Sequence, residues 1–561
     1  MFSGMRSQLQ SLIQESLKSL DAATPPPAVL IDVPADKQHG EFSCNVALQL
    51  SRTLKKNPLV IAREILAPLQ DLLEKSPLHG QILKVDIKPP GFINFYLSPQ
   101  GFYGVLYDVF LQKNNYGCSD YGARRKFCLE FVSANPTGPL TVAHGRQAAV
   151  GDSLANILQE VGFDVTREYW VNDDGNQINI LGRSIKVRAQ QILGLDVSLF
   201  EDAYQGDYIR VMAQEFIAQH HIKTPVDLDQ QSGLVFREFG VKYLMDLIET
   251  DLKDFGVNFD NWELSSKSAK PEAIQSALNQ LKKNNKDSIF EKEGALWFRS
   301  TLWGDDKDRV IIKSDEDKTH TYFLPDIVYH KDKFDRGFKH IVNILGPDHH
   351  GYIPRLKAAV AALGHSKDDL DVLIVQLATI YRDGKEVSMS TRRGEFITLR
   401  EVMDEVGRDA ARFFFLMRQA SAHLEFDLDL AKKQSPENPV YYIQYAHARI
   451  HSIIRKAHEE FQWAPKMQDF QLLTQPEEID LLRKIGLYPD ILVGCAKTLE
   501  PFSLGRYLQE VAALFHKFYD SCRVLDENKE LSLERLGLIE AARIVLGNGL
   551  RLLGVSVPEK M

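Results

Sequence analysis

The sequence predicts an α/β protein: a split, doubly wound parallel sheet (Rossmann-like) at its centre, an α+β domain before it and an all-α bundle after it. Three observations carry that expectation. Residues 127–171 read as strand, loop, helix and strand, which is a βαβ unit and hence a parallel sheet. The same pattern returns over residues 340–377. From about Glu401 onward strand signals disappear and helical spacing takes over.

Taken in order, Leu9, Leu12, Ile13, Leu17 and Leu20 recur at helical spacing, an amphipathic helix rather than a targeting segment. The Pro25-Pro26-Pro27 linker follows, then a helix over Leu59–Leu73 and strands over Lys84–Ile87 and Phe92–Leu97. Loop composition over Asn115–Gly122 marks the first boundary. Phe127–Val132 reads as a strand, the segment from Ala143 as a helix closed by Gly162, and Val165–Val171 as the next strand. His340–Leu345, Ile353–Leu363 and Leu370–Leu377 form the second unit, and a charged insertion separates the two. Helices are expected over Pro436–Lys456, Glu477–Lys497, Leu504–Tyr519 and Leu533–Leu553. The expected domains are 1–115, 120–400 with its insertion, a connecting helical segment 401–436, and a helical domain 437–561.

The 561 residues are 44% hydrophobic and 25% charged, which excludes a disordered or fibrous chain. Lys plus Arg total 67 against 76 Asp plus Glu, a net charge of −9. That excludes a histone-like polycation but leaves room for a local basic groove. Five cysteines without a C-x-x-C pair argue against a disulfide framework or a cysteine zinc site, and imply reduced thiols in a cytoplasmic protein. No apolar run reaches the roughly 18 residues of a membrane span.

Ligands of a parallel sheet bind beyond the carboxyl ends of its strands, and the loop Ser133–His144 lies at such a point. The helix after it offers free N–H groups and a positive dipole to an anion, with His144 in its first turn. On spacing alone a tight strand–helix connection with an N-terminal histidine cap is the more ordinary reading.

The motifs go further. EFVSANPTGPLTVAHGR (130–146), REYWVNDDGNQ (167–177), TYFLPDIVYH (321–330), LGPDHHG (345–351), VSMSTRRG (387–394) and NPVYYIQYAHAR (438–449) stand in this order. Together they resemble the signature blocks of class I aminoacyl-tRNA synthetases in their arginyl form. The family's H-x-G-H reads Thr141-Val142-Ala143-His144 here, and its K-M-S-K-S reads Ser388-Met389-Ser390-Thr391-Arg392, with both lysines lost. The lysine that some arginyl enzymes carry just before the first signature is also missing, since Thr137-Gly138 occupies that region.

The resemblance implies ATP-dependent activation of L-arginine to its adenylate, then transfer to the 3′ end of arginine tRNA, with Mg²⁺, tRNA needed for activation, and a monomer. It assigns ATP to Pro136, Gly138, Ala143, His144, Asp348, His349, His350, Met389 and Ser390. Thr141 and His144 would serve catalysis, and Arg392, Arg393 or Lys385 would supply the phosphate-neutralising charge. Tyr322 and Asp326 would hold the guanidinium, a planar cation that a carboxylate meets best. A helix-capping Asp is the ordinary alternative for Asp326. Ser133 and Asn135 would meet the substrate's amino and carboxylate groups, or simply form the turn. Tyr442, Tyr445 and Arg449 share a helix face suited to an unstacked anticodon, although helix packing accounts equally well for the tyrosines. A non-catalytic tRNA-binding paralogue and a ligase for another amino acid are the alternatives. No resident metal site is expected.

Overall fold

The computed structural model describes residues 2–20, 27–34, 36–387 and 396–561. The first unit is an antiparallel sheet in the order Ile31–Asp32, Phe42–Cys44, Phe92–Leu97, Ile82–Lys88, with helices packed on it. Its helix Pro58–Glu74 starts where Asn57 accepts from the Leu59 N–H and Pro58 sits in the first turn, a position where a missing N–H costs nothing. Ile61, Ile65, Leu69 and Leu73 then line one buried face at the spacing read from the sequence.

The central sheet has five strands, all parallel, in the order Leu370–Ile374, His340–Leu345, Lys126–Glu130, Asp164–Val171, Asn261–Leu264. The chain starts in the middle strand, Lys126–Glu130, and builds outward on one side. It then returns to the other side after an excursion through helices and a three-stranded sheet (Ile289–Lys292, Ala295–Phe298, Arg309–Ile312). The order therefore reverses at the carboxyl end of Lys126–Glu130, where a parallel sheet opens a crevice. The helix Val142–Glu160 leaves from that point and is buried along most of its length. Its Gly151 allows close approach, because a Cβ there would stand 2.3 Å from the Phe131 ring.

Two expectations are corrected here. A strand, Leu424–Asp427, exists beyond Glu401 and pairs in parallel with Ala378–Arg382. Its alternation is only four residues long, with Leu424 and Phe426 buried, too short to register as a period. The helix expected over Glu477–Lys497 is two helices, Pro476–Gly486 and Tyr488–Thr498. Pro489, in the second helix's first turn, has no N–H for the preceding turn and breaks the run.

The helical C-terminus (Pro439–Phe461, Pro476–Gly486, Tyr488–Thr498, Phe502–Ser521, Lys529–Leu552) packs against the N-terminal unit in one continuous core. Arg6 pairs with Asp490 at 2.8 Å and Arg483 with Glu41 at 2.7 Å across that junction. A second junction centres on buried Arg412, which donates to Asp152 Oδ2 (2.6 Å), the Leu553 carbonyl (2.9 Å) and the Phe255 carbonyl (3.1 Å). One guanidinium thus joins the helix Val142–Glu160 to the carboxyl ends of two others, where a cation also meets the helix dipole. Among the described residues, no helix is long and apolar enough to cross a membrane.

Candidate active site

Beyond the switch point lies a cleft of about 640 Å³. Its floor begins with a three-residue turn in which the Ser133 N–H donates to the Phe131 carbonyl at 2.9 Å. Val132, its centre, has φ +67°, and Ser133 has φ +39°. A β-branched residue there is strained, and such strain is found where backbone direction matters to a site. The Ser133 hydroxyl stabilises the turn: it donates to Glu130 Oε1 (3.2 Å) and accepts from the Trp170 N–H (3.1 Å). Asn135 donates to Gln177 Oε1 at 2.8 Å, and the Ala134 carbonyl accepts from Tyr169 at 2.9 Å.

His144 lines the cleft at the start of the helix Val142–Glu160. The Thr141 backbone N–H donates to its Nδ1 at 3.1 Å, which leaves the proton of a neutral ring on Nε2. Burial lowers its pKa to about 4, so the ring is neutral near pH 7. Thr141 contacts His144 but lies outside the cleft lining, as do Pro136, Gly138 and Ala143.

The opposite wall is the helix Phe323–Asp335. Tyr322 precedes it and is 68% exposed at the cleft, while Asp326 is set into the wall one turn on. Burial pushes the Asp326 pKa up to about 7, against the pull of the Tyr352 hydroxyl that donates to its Oδ2. Its backbone carbonyl accepts from His330 Nδ1 (2.8 Å), and His330 Nε2 accepts from Asn343 (2.9 Å). Lys333 donates to Asn343 Oδ1 (3.3 Å) and to Glu130 Oε2 (2.6 Å). Burial, then Lys333, depresses the His330 pKa to about 3.

Behind this wall Glu168 is fully buried, and burial alone would raise its pKa. Arg336, which grips both its oxygens at 2.6 and 2.9 Å, Lys333 and Tyr329 hold it down to about 2. Glu130, Glu168, Lys333 and Arg336 form a charge-balanced set, as buried ions require. The spacing of the sequence missed this set, because only strand register brings it together: Glu130 stands opposite both Glu168 and Asn343. The signal available was a Glu at or near the start of two motif strings, in strands otherwise apolar.

Asp348 and His349 line the cleft, and His350 does not. Lys385 lies on an exposed two-residue strand away from the lining. Met389, Ser390, Arg392 and Arg393 fall outside the described residues. In the C-terminal bundle, Tyr442 packs 4.8 Å from the His516 ring and Tyr445 5.9 Å from it, while Arg449 sits 4.2 Å over Tyr519. All three sit against the neighbouring helix Phe502–Ser521 and are half-buried. No cluster of three or more metal-ligating side chains occurs among the described residues.

A parallel sheet opened at its switch point, with a helix N-terminus on one side of the cleft and a carboxylate on the other, is the architecture of a doubly wound α/β catalytic domain. Residues 106–422 match the family described as tRNA synthetases class I (R), catalytic domain. Residues 7–97 match the arginyl tRNA synthetase N-terminal domain, and 443–561 the DALR anticodon binding domain. An arginine–tRNA ligase of Syntrophotalea carbinolica is 44% identical over 566 residues, covering 99% of this chain and 100% of the relative. That of Anoxybacillus flavithermus is 45% identical over 564 residues, covering 99% of each. The arginyl-tRNA synthetase structure of Thermus thermophilus shares the fold, with TM-score 0.72, 20% identity, and 99% and 100% of the two chains covered. The chain belongs to the arginyl-tRNA synthetase family.

Proposed function

We propose that the acidic cleft is where this arginine–tRNA ligase holds the arginine cation, and that Asp326 is the carboxylate that selects it. Family membership gives the reaction and its use of ATP. The observation that carries the residue assignment is the charge of the cleft wall. Glu130, Asp174, Asp326 and Asp348 line it, and no described Lys or Arg does. Glu130 is neutralised by Lys333 and Asp174 pairs with Arg237 at 2.6 Å. Among the described residues only the Tyr352 hydroxyl donates to the Asp326 carboxylate, at Oδ2, which leaves Oδ1 open to a cationic ligand.

In the first step the arginine carboxylate attacks the α-phosphorus of ATP and pyrophosphate leaves. The adenylate then passes its arginyl group to a ribose hydroxyl at the tRNA 3′ end. Neither step needs a protein nucleophile, and positioning plus stabilisation of developing phosphate charge supply the catalysis. The neutral His144 offers Nε2–H to a phosphate oxygen beside the helix N-terminus. Asp348 and His349 stand on the adenosine side, with Asn135 and Gln177 near the amino-acid backbone. Mg²⁺ would enter with the nucleotide and neutralise phosphate charge there. The cation for the leaving pyrophosphate comes from outside the described wall, from Arg392 or Arg393 before Lys385. Tyr442, Tyr445 and Arg449 face the anticodon with the edges left free by their packing, and the enzyme is a cytoplasmic monomer.

Replacing Asp326 with Asn keeps the shape and removes the charge. Loss of a charge-assisted bond costs roughly 2–5 kcal/mol, about 30- to several-thousand-fold in kcat/KM for arginine. Steady-state kinetics check this, and a change under about threefold takes Asp326 out of the pocket.

A further inference from the structure

The backbone and the carboxylate of Asp326 are anchored by different elements. The backbone is fixed through its own helix with one link from the strand His340–Leu345: Lys333 holds Asn343, Asn343 donates to His330, and His330 donates to the Asp326 carbonyl. The carboxylate is held by Tyr352, at the end of the neighbouring turn Pro347–Tyr352 that follows the strand His340–Leu345. The Tyr352 ring is itself fixed. It meets Phe323 edge-on with centroids 6.0 Å apart, and the Arg355 guanidinium lies 4.8 Å over it. Among the described residues, no other side chain donates to the Asp326 carboxylate.

We propose that Tyr352 is a positioning residue for amino-acid selection, its hydroxyl holding one oxygen of Asp326 so that the other is presented to the arginine guanidinium. This rests on the reading of Asp326 given above. A carboxylate at the start of a helix can rotate about its side-chain bonds, and a single donor on Oδ2 chooses one rotamer and leaves Oδ1 free. Two further consequences follow from the charges around Asp326. Glu130, from the neighbouring strand, raises its pKa, while Lys333 on its own helix and Arg355 on the next pull it down, with the Tyr352 hydroxyl. His330, neutral near pH 7, adds no charge. With the carboxyl poised near 7, arginine binding requires loss of that proton, so arginine affinity falls as pH drops through this range. Removing the hydroxyl removes one of the groups that favour the ionised form, and the loss of affinity then begins at higher pH.

The test is the arginine KM of the full-length enzyme in ATP–pyrophosphate exchange with tRNA present, measured from pH 6 to 9. Tyr352→Phe keeps the ring and its packing. It should raise the arginine KM about tenfold at pH 7, the scale of one hydrogen bond to a charged group, with kcat and the ATP KM within about twofold. The acid limb of 1/KM should move upward by about half a pH unit or more. Tyr352→Leu removes the ring as well and should show the same shift of the limb, since the shift belongs to the hydroxyl. An unmoved limb, or an equal rise in the ATP and arginine KM, overturns the proposal. Asp326→Asn in the same series separates the two levels. If it leaves arginine KM unchanged, the reading of Asp326 fails. If it raises arginine KM while Tyr352→Phe behaves as the parent, only the positioning role fails.

Discussion

His144 shows how one backbone contact fixes the chemistry of a side chain. An N–H can only donate, so the Thr141 amide makes Nδ1 an acceptor and puts the proton on Nε2. With a pKa lowered to about 4, the ring gains a second proton only well below the working range. At saturating arginine, kcat for exchange should therefore stay flat between pH 6 and 9 as far as this group is concerned. His144→Ala should cost about 10²-fold in that kcat, the scale of one lost donor to developing charge. Rapid-quench measurement of adenylate formation checks both, and a variant within threefold of the parent would remove His144 from the phosphate site. The same reasoning explains why Thr141 can stand where the family has a histidine. Its backbone N–H donates to His144 Nδ1, and its hydroxyl lies 3.2 Å from the same nitrogen.

At the scale of elements, the two βαβ units were legible because their apolar strands and the helix from Ala143 are long and periodic. His340–Leu345 has the bounds read from the sequence. Leu424–Asp427 was not, being four residues whose pairing partner lies more than forty positions back. The site divides in the same way. Ser133, Asn135, His144, Tyr322, Asp326, Asp348 and His349, named from motif strings, all line one cleft. Glu130, Lys333, Asn343 and Tyr352 could not be read out, since strand register and contacts between neighbouring elements bring them together around the cleft. Negative charge builds on the departing pyrophosphate, and no described Lys or Arg lines the cleft to meet it. Arg392→Ala, Arg393→Ala and Lys385→Ala should thus differ, one of them losing about 10²-fold in adenylate formation while the ATP KM hardly moves. If all three stay within about threefold of the parent, the cation lies elsewhere.

Across the whole molecule, a chain of net charge −9 must accommodate one cationic and two polyanionic substrates. The anticodon-binding bundle is locked to the N-terminal unit through Arg6–Asp490 and Arg483–Glu41, and to the catalytic helix through Arg412. The described walls of the cleft carry Glu130, Asp174, Asp326 and Asp348 and no Lys or Arg, which suits a cation; on the proposed reading the phosphates rely on the helix N-terminus and on cations outside that lining. Selection of a cation by an otherwise unpaired carboxylate is tested most directly by comparing arginine with citrulline, which replaces the guanidinium by a neutral urea of nearly the same shape. The measurement is the dissociation constant of each by calorimetric titration of the full-length enzyme with tRNA at pH 8, where Asp326 is ionised. A buried carboxylate left without its charge partner should weaken citrulline by about 10²-fold or more relative to arginine. Binding of the two within about threefold would contradict selection by charge and place the discrimination in shape alone.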